Sequence, residues 1–243
     1  MLEKSKQLFK QIDQWLAICQ KRNQHIVTNF FTPEDLALII PYLQSRIPFV
    51  VDGGINNFER AKLILNVVDK TATDVVVIAA KINPKYVEIA HKDVLGTLMG
   101  MGIQRETIGD IVIDDNLILV VTNQVIGQYL IENCLQIKRF KVTFNYYDEK
   151  YTRIYHYDIL HLNVASLRMD AIVAALAKTS REKAQQLIKN KMVVINHQTL
   201  EDIKRLCHNN DIISIRKVGK FVFKQIEKTT KKERLIIEVW KYI

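Results

Sequence analysis

The stretch from residue 85 to residue 147 constrains the fold most, because two helical patterns alternate there with runs that have the period of β-strands. Asp114-Asp115-Asn116 separates two alternating apolar runs and predicts a turn between paired strands. The order strand, helix, strand, strand, helix, strand is typical of a ferredoxin-like or RRM-like βαββαβ fold. The predicted elements are a strand at 85–90, a helix at 92–101, strands at 108–114 and 117–122, a helix at 124–134 and a strand at 137–147.

The residues before this stretch predict a small α/β domain. Apolar residues recur at helical spacing up to Lys21, and Thr32-Pro33 marks a second helix start, because threonine caps free amides and proline suits the first helical position. Phe49-Val50-Val51 predicts a strand that ends at the Gly53-Gly54 turn. A third helix is expected to bury Phe58, Ala61, Leu65 and Val68, and a strand is expected at 74–82.

The last part of the chain predicts a compact module of two short helices and a small sheet. The first helix follows Asp170, and Ser180 is placed to cap the second. A strand at 193–196 and a returning strand at 211–216 follow, whereas 147–161 is expected to be a polar and aromatic linker with some strand content. The fold class is therefore α+β, with an N-terminal α/β domain at 1–82, an RRM-like domain at 83–160 and the C-terminal module at 161–243.

The excess of positive charge is confined to the C-terminal module. Residues 162–243 contain 17 lysines and arginines and 8 acidic residues, an excess of nine, whereas the rest of the chain has 18 of each. The net charge of +9 therefore lies in the last third. A neutral body with a basic module indicates a polyanionic partner, with nucleic acid as the first candidate and an anionic membrane as the second.

Composition and sequence patterns exclude several other classes of protein. Hydrophobic residues make up 48% of the chain and charged residues 25%, which is a normal globular balance. We find no run of about 18 apolar residues that would span a membrane, and the N-terminus has no apolar signal core, so we expect a cytoplasmic protein. The three scattered cysteines (Cys19, Cys134 and Cys207) are expected to be reduced thiols.

The C-terminal module resembles the S-four (αL) RNA-binding domain. The resemblance rests on four segments in order: Leu167-Arg168-x-Asp170, Ser180-Arg181-x-x-Ala184, Val194-x-Asn196 and Asp211-x-Ile213. The whole chain is similar to the YlmH family, through Phe31-Thr32-Pro33, the Gly53-Gly54 turn with Glu59-Arg60, and the segments 91–96 and 102–110. The family commonly has glycine where this chain has Asn190-Lys191, so we expect a shifted or strained helix end there.

The resemblance implies a non-enzymatic protein of bacterial ribosome quality control. Its expected partners are rRNA, tRNA and the large ribosomal subunit, in the rescue of stalled nascent chains, and the family's genes lie near cell-division genes. Guanidinium groups suit phosphate oxygens because they are planar, paired donors that stay charged. The RNA-binding residues are predicted to be Arg168, Arg181, Lys183, Lys189, Lys191, Arg216, Lys217 and Lys220.

Alternative interpretations remain open for single residues. Arg168 could instead pair with Asp170 or a neighbouring carboxylate, and Asp170 is expected to be a structural cap. A second RNA surface is predicted at Arg105, Arg139 and Lys141, the last two on an open sheet face; Arg105 could equally form a surface pair with Glu106. This domain lacks the aromatic RRM signature, so base stacking is not expected there. Lys228, Lys231, Lys232 and Arg234 predict a basic hairpin turn.

No cofactor or metal is predicted. The glycines at 96, 100 and 102 lack the Gly-Lys-Ser/Thr ending of a phosphate-binding loop, and His91 with Asp93 lacks a third ligand at helical spacing. Two other function classes remain. The first is an RNA-modifying enzyme of the pseudouridine synthase or methyltransferase type, because S-four domains often accompany these enzymes. The second is a division-linked adaptor that binds protein partners or an anionic membrane.

Overall fold

The computed structural model describes residues 2–67, 73–83, 89–114, 116–229 and 234–243. It divides the chain into two compact units, residues 1–153 and residues 154–243. Both units combine helices with antiparallel sheets, which confirms the predicted α+β class. In the described part of the chain, no helix is both long enough and apolar enough to cross a membrane.

The first part of unit 1 packs two helices on a three-stranded antiparallel sheet with the strand order β1-β3-β2. Its core joins Ile12, Ile39, Leu43 and Leu63. The Thr32 hydroxyl accepts a hydrogen bond from the amide of Asp35 at 3.2 Å, which confirms the predicted helix start. The elements are α1 (Leu2–Arg22), β1 (Ile26–Val27), α2 (Pro33–Leu43), β2 (Phe49–Asp52) and β3 (Lys62–Leu65).

The helix predicted from Phe58 onward is wrong, because residues 62–65 form the central strand of this sheet. All four residues of β3 are buried, so the strand shows no alternation of apolar and polar residues, and apolar spacing alone resembles that of a helix. The loop before β3 is fixed by Asp110, whose carboxylate accepts hydrogen bonds from the amides of Glu59 and Arg60. Val68 lies outside the described residues.

The second part of unit 1 has the predicted order of helices and strands, but its first strand is residues 75–81 and not the strand predicted at 85–90. The strand at 75–81 pairs along its whole length with the strand at 117–123, so it belongs to this sheet and not to a domain that ends at residue 82. Residues 85–88 of the strand predicted at 85–90 lie outside the described residues, and residues 89 and 90 are not in a strand. The elements are β4 (Val75–Lys81), α3 (His91–Gly100), β5 (Ile108–Asp114), β6 (Leu117–Asn123), α4 (Gln124–Asn133), β7 (Gln136–Ile137), β8 (Phe140–Lys141) and β9 (Asn145–Tyr146).

The strand order of this sheet is β5-β6-β4-β9, and every neighbouring pair is antiparallel. The strand predicted over 137–147 is broken into three. Lys138 has a left-handed φ of 52° and turns the chain between β7 and β8, which pair only with each other. Only β9 joins the four-stranded sheet, at its edge beside β4.

Unit 2 is built on a six-stranded antiparallel sheet with the order β10-β15-β14-β13-β11-β12. The helices, the strand at 193–195 and the returning strand at 212–215 are confirmed. The segment 147–161, expected to be a linker with some strand content, enters a strand at Tyr157, so the domain boundary expected between 160 and 161 falls inside that strand. The elements are β10 (Tyr157–Val164), α5 (Met169–Leu176), α6 (Arg181–Lys189), β11 (Val193–Ile195), β12 (Gln198–Thr199), β13 (Ile212–Ile215), β14 (Gly219–Thr229) and β15 (Leu235–Tyr242).

Helix α3 offers a test of the packing in unit 1, because its neighbouring residues Leu98 and Met99 differ in burial. Leu98 is fully buried in the core beneath the four-stranded sheet, and Met99 is 46% exposed. We expect Leu98→Ala to lower the free energy of unfolding by about 2–5 kcal/mol, through lost burial and a residual cavity. Met99→Ala should change it by less than about 0.5 kcal/mol. Urea denaturation followed by circular dichroism compares the two, and equal effects would contradict this packing.

Candidate nucleic-acid interface

A buried carboxylate joins the starts of the two helices of unit 2. Asp170 is 0% exposed, and both of its oxygens accept hydrogen bonds from the Arg181 guanidinium, each at 2.9 Å. The Arg168 guanidinium donates to the same oxygens at 3.3 and 3.1 Å. A third donor, the Gln185 amide at 3.0 Å, was not predicted. We call Asp170 and these three donors the Asp170 cluster.

The ionised form of Asp170 is favoured in the folded protein. Burial opposes ionisation, but hydrogen bonds from the two guanidinium groups and from the Gln185 amide outweigh it and hold the pKa of Asp170 well below its ordinary value. The same pairing raises the pKa of Arg181. The cluster is thus a charged link between α5 and α6. Asp170 has a structural role, but as the ion-pair partner of two arginines and not as the predicted helix cap.

The two arginines keep part of their donor capacity for another ligand. Their side chains are 34% and 43% exposed, and each guanidinium uses two of its five N–H groups on Asp170. Arg168 therefore pairs with Asp170, as the alternative interpretation predicted. Arg181 pairs with the same carboxylate. Contact of their exposed N–H groups with RNA stays a prediction.

Four of the predicted RNA-binding residues line one surface groove. The groove has a volume of about 620 Å³ and lies where the end of α6 meets the turn between β13 and β14. Val194 and Ser214 contribute to its wall. We call it the basic groove, and its basic residues are Lys191, Arg216, Lys217 and Lys220.

Two lysines of the basic groove have a backbone conformation that favours glycine. Lys191 has φ 56°, and the amides of Lys191 and Met192 donate to the carbonyls of Ile188 and Leu187, which closes α6 with a Schellman motif. Lys217 has φ 66° in a turn closed by the Val218 amide and the Ile215 carbonyl. A left-handed conformation costs a residue other than glycine about 1–2 kcal/mol. The strained conformation expected after α6 is therefore confirmed at Lys191. Lys191 and Lys217 together place two ammonium groups at the groove.

Helix α6 begins at the Asp170 cluster, and the basic groove begins at Lys191, just after the helix ends. Arg181, Gln185 and Lys189 follow one another at intervals of four residues and so lie along one line of the helix. Eight residue steps cover about 12 Å. Lys183 is exposed but lies about 160° around the helix from Arg181, so the structure does not bring it to this line.

A second buried carboxylate holds the strands that carry the groove. Asp211 accepts a hydrogen bond from the Asn196 side chain at 2.7 Å and from the amide of His208 at 2.9 Å. The Asn196 amide oxygen in turn accepts from the amide of Ile212 at 2.9 Å. Two motif positions of the predicted domain, Asn196 and Asp211, thus tie β13 to the end of β11.

The structure does not bring together the three residues of the second predicted RNA surface. Arg105 is partly buried and donates to the carbonyls of Ile108 and Gly109 at 2.6 and 3.2 Å, so it holds the start of β5. Arg139 lies in the turn between β7 and β8, with its guanidinium 5.2 Å from the Phe140 ring centre, and Lys141 lies in β8. The expectation that Arg139 and Lys141 share an open sheet face is wrong, because their strand does not belong to the four-stranded sheet.

Other candidate groups have structural surroundings. His91 begins α3, and burial together with Arg105 and Arg153 lowers its pKa. The three cysteines are buried and free, and burial raises the pKa of Cys207 to about 12. Among the described residues there is no group of three metal-ligating side chains. In the predicted basic hairpin turn, Lys231 and Lys232 lie outside the described residues, and Arg234 donates to Asn163 at 2.7 Å.

Comparisons with known proteins agree with the motifs. Residues 70–151 match the family model described as "Putative RNA-binding domain in YlmH". The chain is 28% identical over 228 residues to the "Ribosome-associated protein quality control protein P2" of Bacillus subtilis (strain 168), which covers 91% of this chain and 89% of that protein. The solved structure "Cell division protein ylmH from Streptococcus pneumoniae" has a similar fold, with a TM-score of 0.53 over 59% of this chain and 91% of that chain at 14% identity. The predicted resemblance to the YlmH family is confirmed.

From the Asp170 cluster we predict how the free energy of unfolding depends on pH. Asp170→Asn removes the charge that both arginines contact, and we expect it to lower the free energy of unfolding by about 1–3 kcal/mol near pH 7. Because the folded state lowers the pKa of Asp170, this contribution is complete above the unfolded value of about 3.9 and decreases as pH falls below it. Urea denaturation of both proteins from pH 7 to pH 2.5 should show their difference shrinking below about pH 4. A difference that stays constant into acid would contradict the charged link.

Proposed function

We propose that this chain, a relative of the YlmH proteins, is a non-enzymatic RNA-binding protein that acts on the large ribosomal subunit in the quality control of translation. Its ligand is rRNA or tRNA, and its place of action is the cytoplasm. The observation that carries the proposal is the line of cations in unit 2, from the Asp170 cluster along α6 to the basic groove.

The spacing of these cations suits a nucleic-acid backbone better than a small ligand. The exposed N–H groups of the Asp170 cluster lie at one end of α6, and the basic groove lies at the other end, about 12 Å along the axis. A small anion would need converging donors, whereas a phosphodiester chain meets successive cations along its length. The groove also uses lysines in strained positions, and backbone strain often marks a functional site.

Each unit has a separate part in the proposal. We assign unit 2, residues 154–243, as the S-four-like domain, with α5 and α6 as its paired helices. In unit 1, the antiparallel order β5-β6-β4-β9 with α3 and α4 supports an RRM-like domain. The name of the matching family model and the name of the Bacillus subtilis relative support RNA and the ribosome as ligands.

The salt dependence of binding tests the proposal. With about five phosphates neutralised by Lys189 and the basic groove, the logarithm of affinity should fall against the logarithm of salt concentration with a slope of about −3.5 to −4.5. Fluorescence anisotropy with a labelled rRNA fragment at several salt concentrations measures this slope. A slope near zero would contradict backbone binding.

The two strained lysines allow a sharper test, because one change should move stability and binding in opposite directions. In the double variant Lys191→Gly with Lys217→Gly, glycine relieves both left-handed positions, so we expect the free energy of unfolding to rise by up to about 1 kcal/mol per site. The salt slope should become shallower by about 1.4–1.8, because two phosphate contacts are lost.

Lys178→Gly is the matched control for the double variant. Lys178 is also left-handed, at φ 51°, and is exposed, but it does not line the groove. It should gain stability and keep its salt slope. If the double variant binds RNA with the same slope as the unchanged protein, the basic groove does not hold the backbone.

A further inference from the structure

Four aromatic rings form a continuous cluster on unit 2. Tyr157 lies opposite Tyr242 on neighbouring strands, with ring centres 4.9 Å apart, and it lies 5.2 Å from the Trp240 ring. Tyr155 lies 5.2 Å from the Tyr242 ring in an edge-to-face arrangement. We call these four residues the aromatic face. Sequence patterns did not predict this cluster, because its members come from both ends of the unit.

The aromatic face lies on the side of the sheet that faces away from the core. Side chains alternate along a strand, and the alternate residues Ile237 and Val239 pack with α5 and α6 in the core, so Trp240 and Tyr242 point to the opposite side. Ile159 pairs with Trp240 across the strands and is 57% exposed. In the described residues of unit 2, both helices therefore pack on the other side of the sheet, and the rings remain partly accessible.

Two cations lie over rings of this face and connect it with the basic groove. The Lys224 ammonium lies over the Trp240 ring, 4.2 Å from its centre, and the Lys220 ammonium lies over the Tyr242 ring, 4.7 Å from its centre. Lys220 also lines the groove, and it pairs with Ser214, another groove residue, on the neighbouring strand. The groove and the aromatic face are thus parts of one surface that share Lys220.

We propose that the aromatic face stacks unpaired bases of an RNA whose backbone lies in the basic groove. This inference rests on the proposed function and adds the class of ligand: RNA with unpaired bases, such as a loop or a single strand. Bases in a duplex are stacked on each other and offer no free ring face, whereas an unpaired base stacks on tryptophan or tyrosine whatever its sequence. The ammonium groups over the rings favour RNA over an apolar protein segment, since a base that stacks on these rings would displace them and its own phosphates would attract them.

Tryptophan fluorescence tests the stacking directly, because the chain has only two tryptophans. Trp15 is in the other unit and packs beside Phe31, so Trp15→Phe keeps an aromatic ring there and leaves Trp240 as the reporter. In this full-length protein, a single-stranded 12-mer oligouridine should quench the fluorescence of Trp240. A blunt 12-base-pair RNA duplex should bind through the groove and leave the fluorescence nearly unchanged. Equal quenching by both RNAs, or none by either, would overturn the proposal.

Two substitutions at Trp240 separate stacking from burial. Trp240→Phe keeps a ring face, whereas Trp240→Leu keeps apolar volume without one. By anisotropy, we expect the leucine variant to bind oligouridine about 5- to 50-fold more weakly and the phenylalanine variant to lose less than about threefold. Both should bind the duplex as the unchanged protein does, and thermal unfolding checks that both are folded.

The outcomes distinguish this inference from the proposed function. If groove variants lose RNA binding and Trp240→Leu does not, the proposed function holds and the aromatic face is not a base platform. If Trp240→Leu loses oligouridine binding and groove variants do not, stacking is supported and the groove assignment fails. If Trp240→Leu loses co-sedimentation with ribosomes but keeps oligouridine binding, the face contacts protein and the stacking proposal is wrong.

Discussion

The structure of the C-terminal unit depends on one buried charge. Asp170 is inaccessible to solvent, so its carboxylate is tolerable only because five hydrogen bonds from two arginines and a glutamine surround it. These bonds fix the start of α5 against the start of α6. They also hold two guanidinium groups at the surface in defined positions, so their exposed N–H groups are preorganised for an anion. A salt bridge that is structural in the free protein therefore also prepares a binding surface.

Placing positive charge at the groove has a cost in backbone energy. Two of its lysines occupy left-handed positions where glycine would be less strained, while asparagine, which tolerates this conformation better, occupies the left-handed position 210 before Asp211. Lysine also occupies left-handed positions outside the groove, at residues 138 and 178, so backbone strain by itself does not mark the groove. The joint measurement of unfolding and salt slope tests whether the ammonium groups of Lys191 and Lys217 bind RNA.

Local signals predicted the C-terminal unit well, and non-local pairing explains the errors elsewhere. The Ser180 cap and the apolar positions Ala184 and Ile188 are signals within one helix, so the sequence specifies them directly. Strand β3 was mistaken for a helix because its burial on both faces leaves no alternation. Strand β4 was assigned to the wrong domain because its partner β6 lies some forty residues later in the sequence. The aromatic face was missed for the same reason, since Tyr157 and Tyr242 meet only through the register of β10 and β15.

The central claim is that RNA lies along the cations between the Asp170 cluster and the basic groove. Ultraviolet crosslinking of the full-length protein to RNA in cells, followed by mass spectrometry of the crosslinked peptides, tests this most directly. The account predicts that crosslinked nucleotides are attached to peptides that contain residues 181–192 and 214–220. Crosslinks confined to residues 1–153, with none in those two segments, would contradict it.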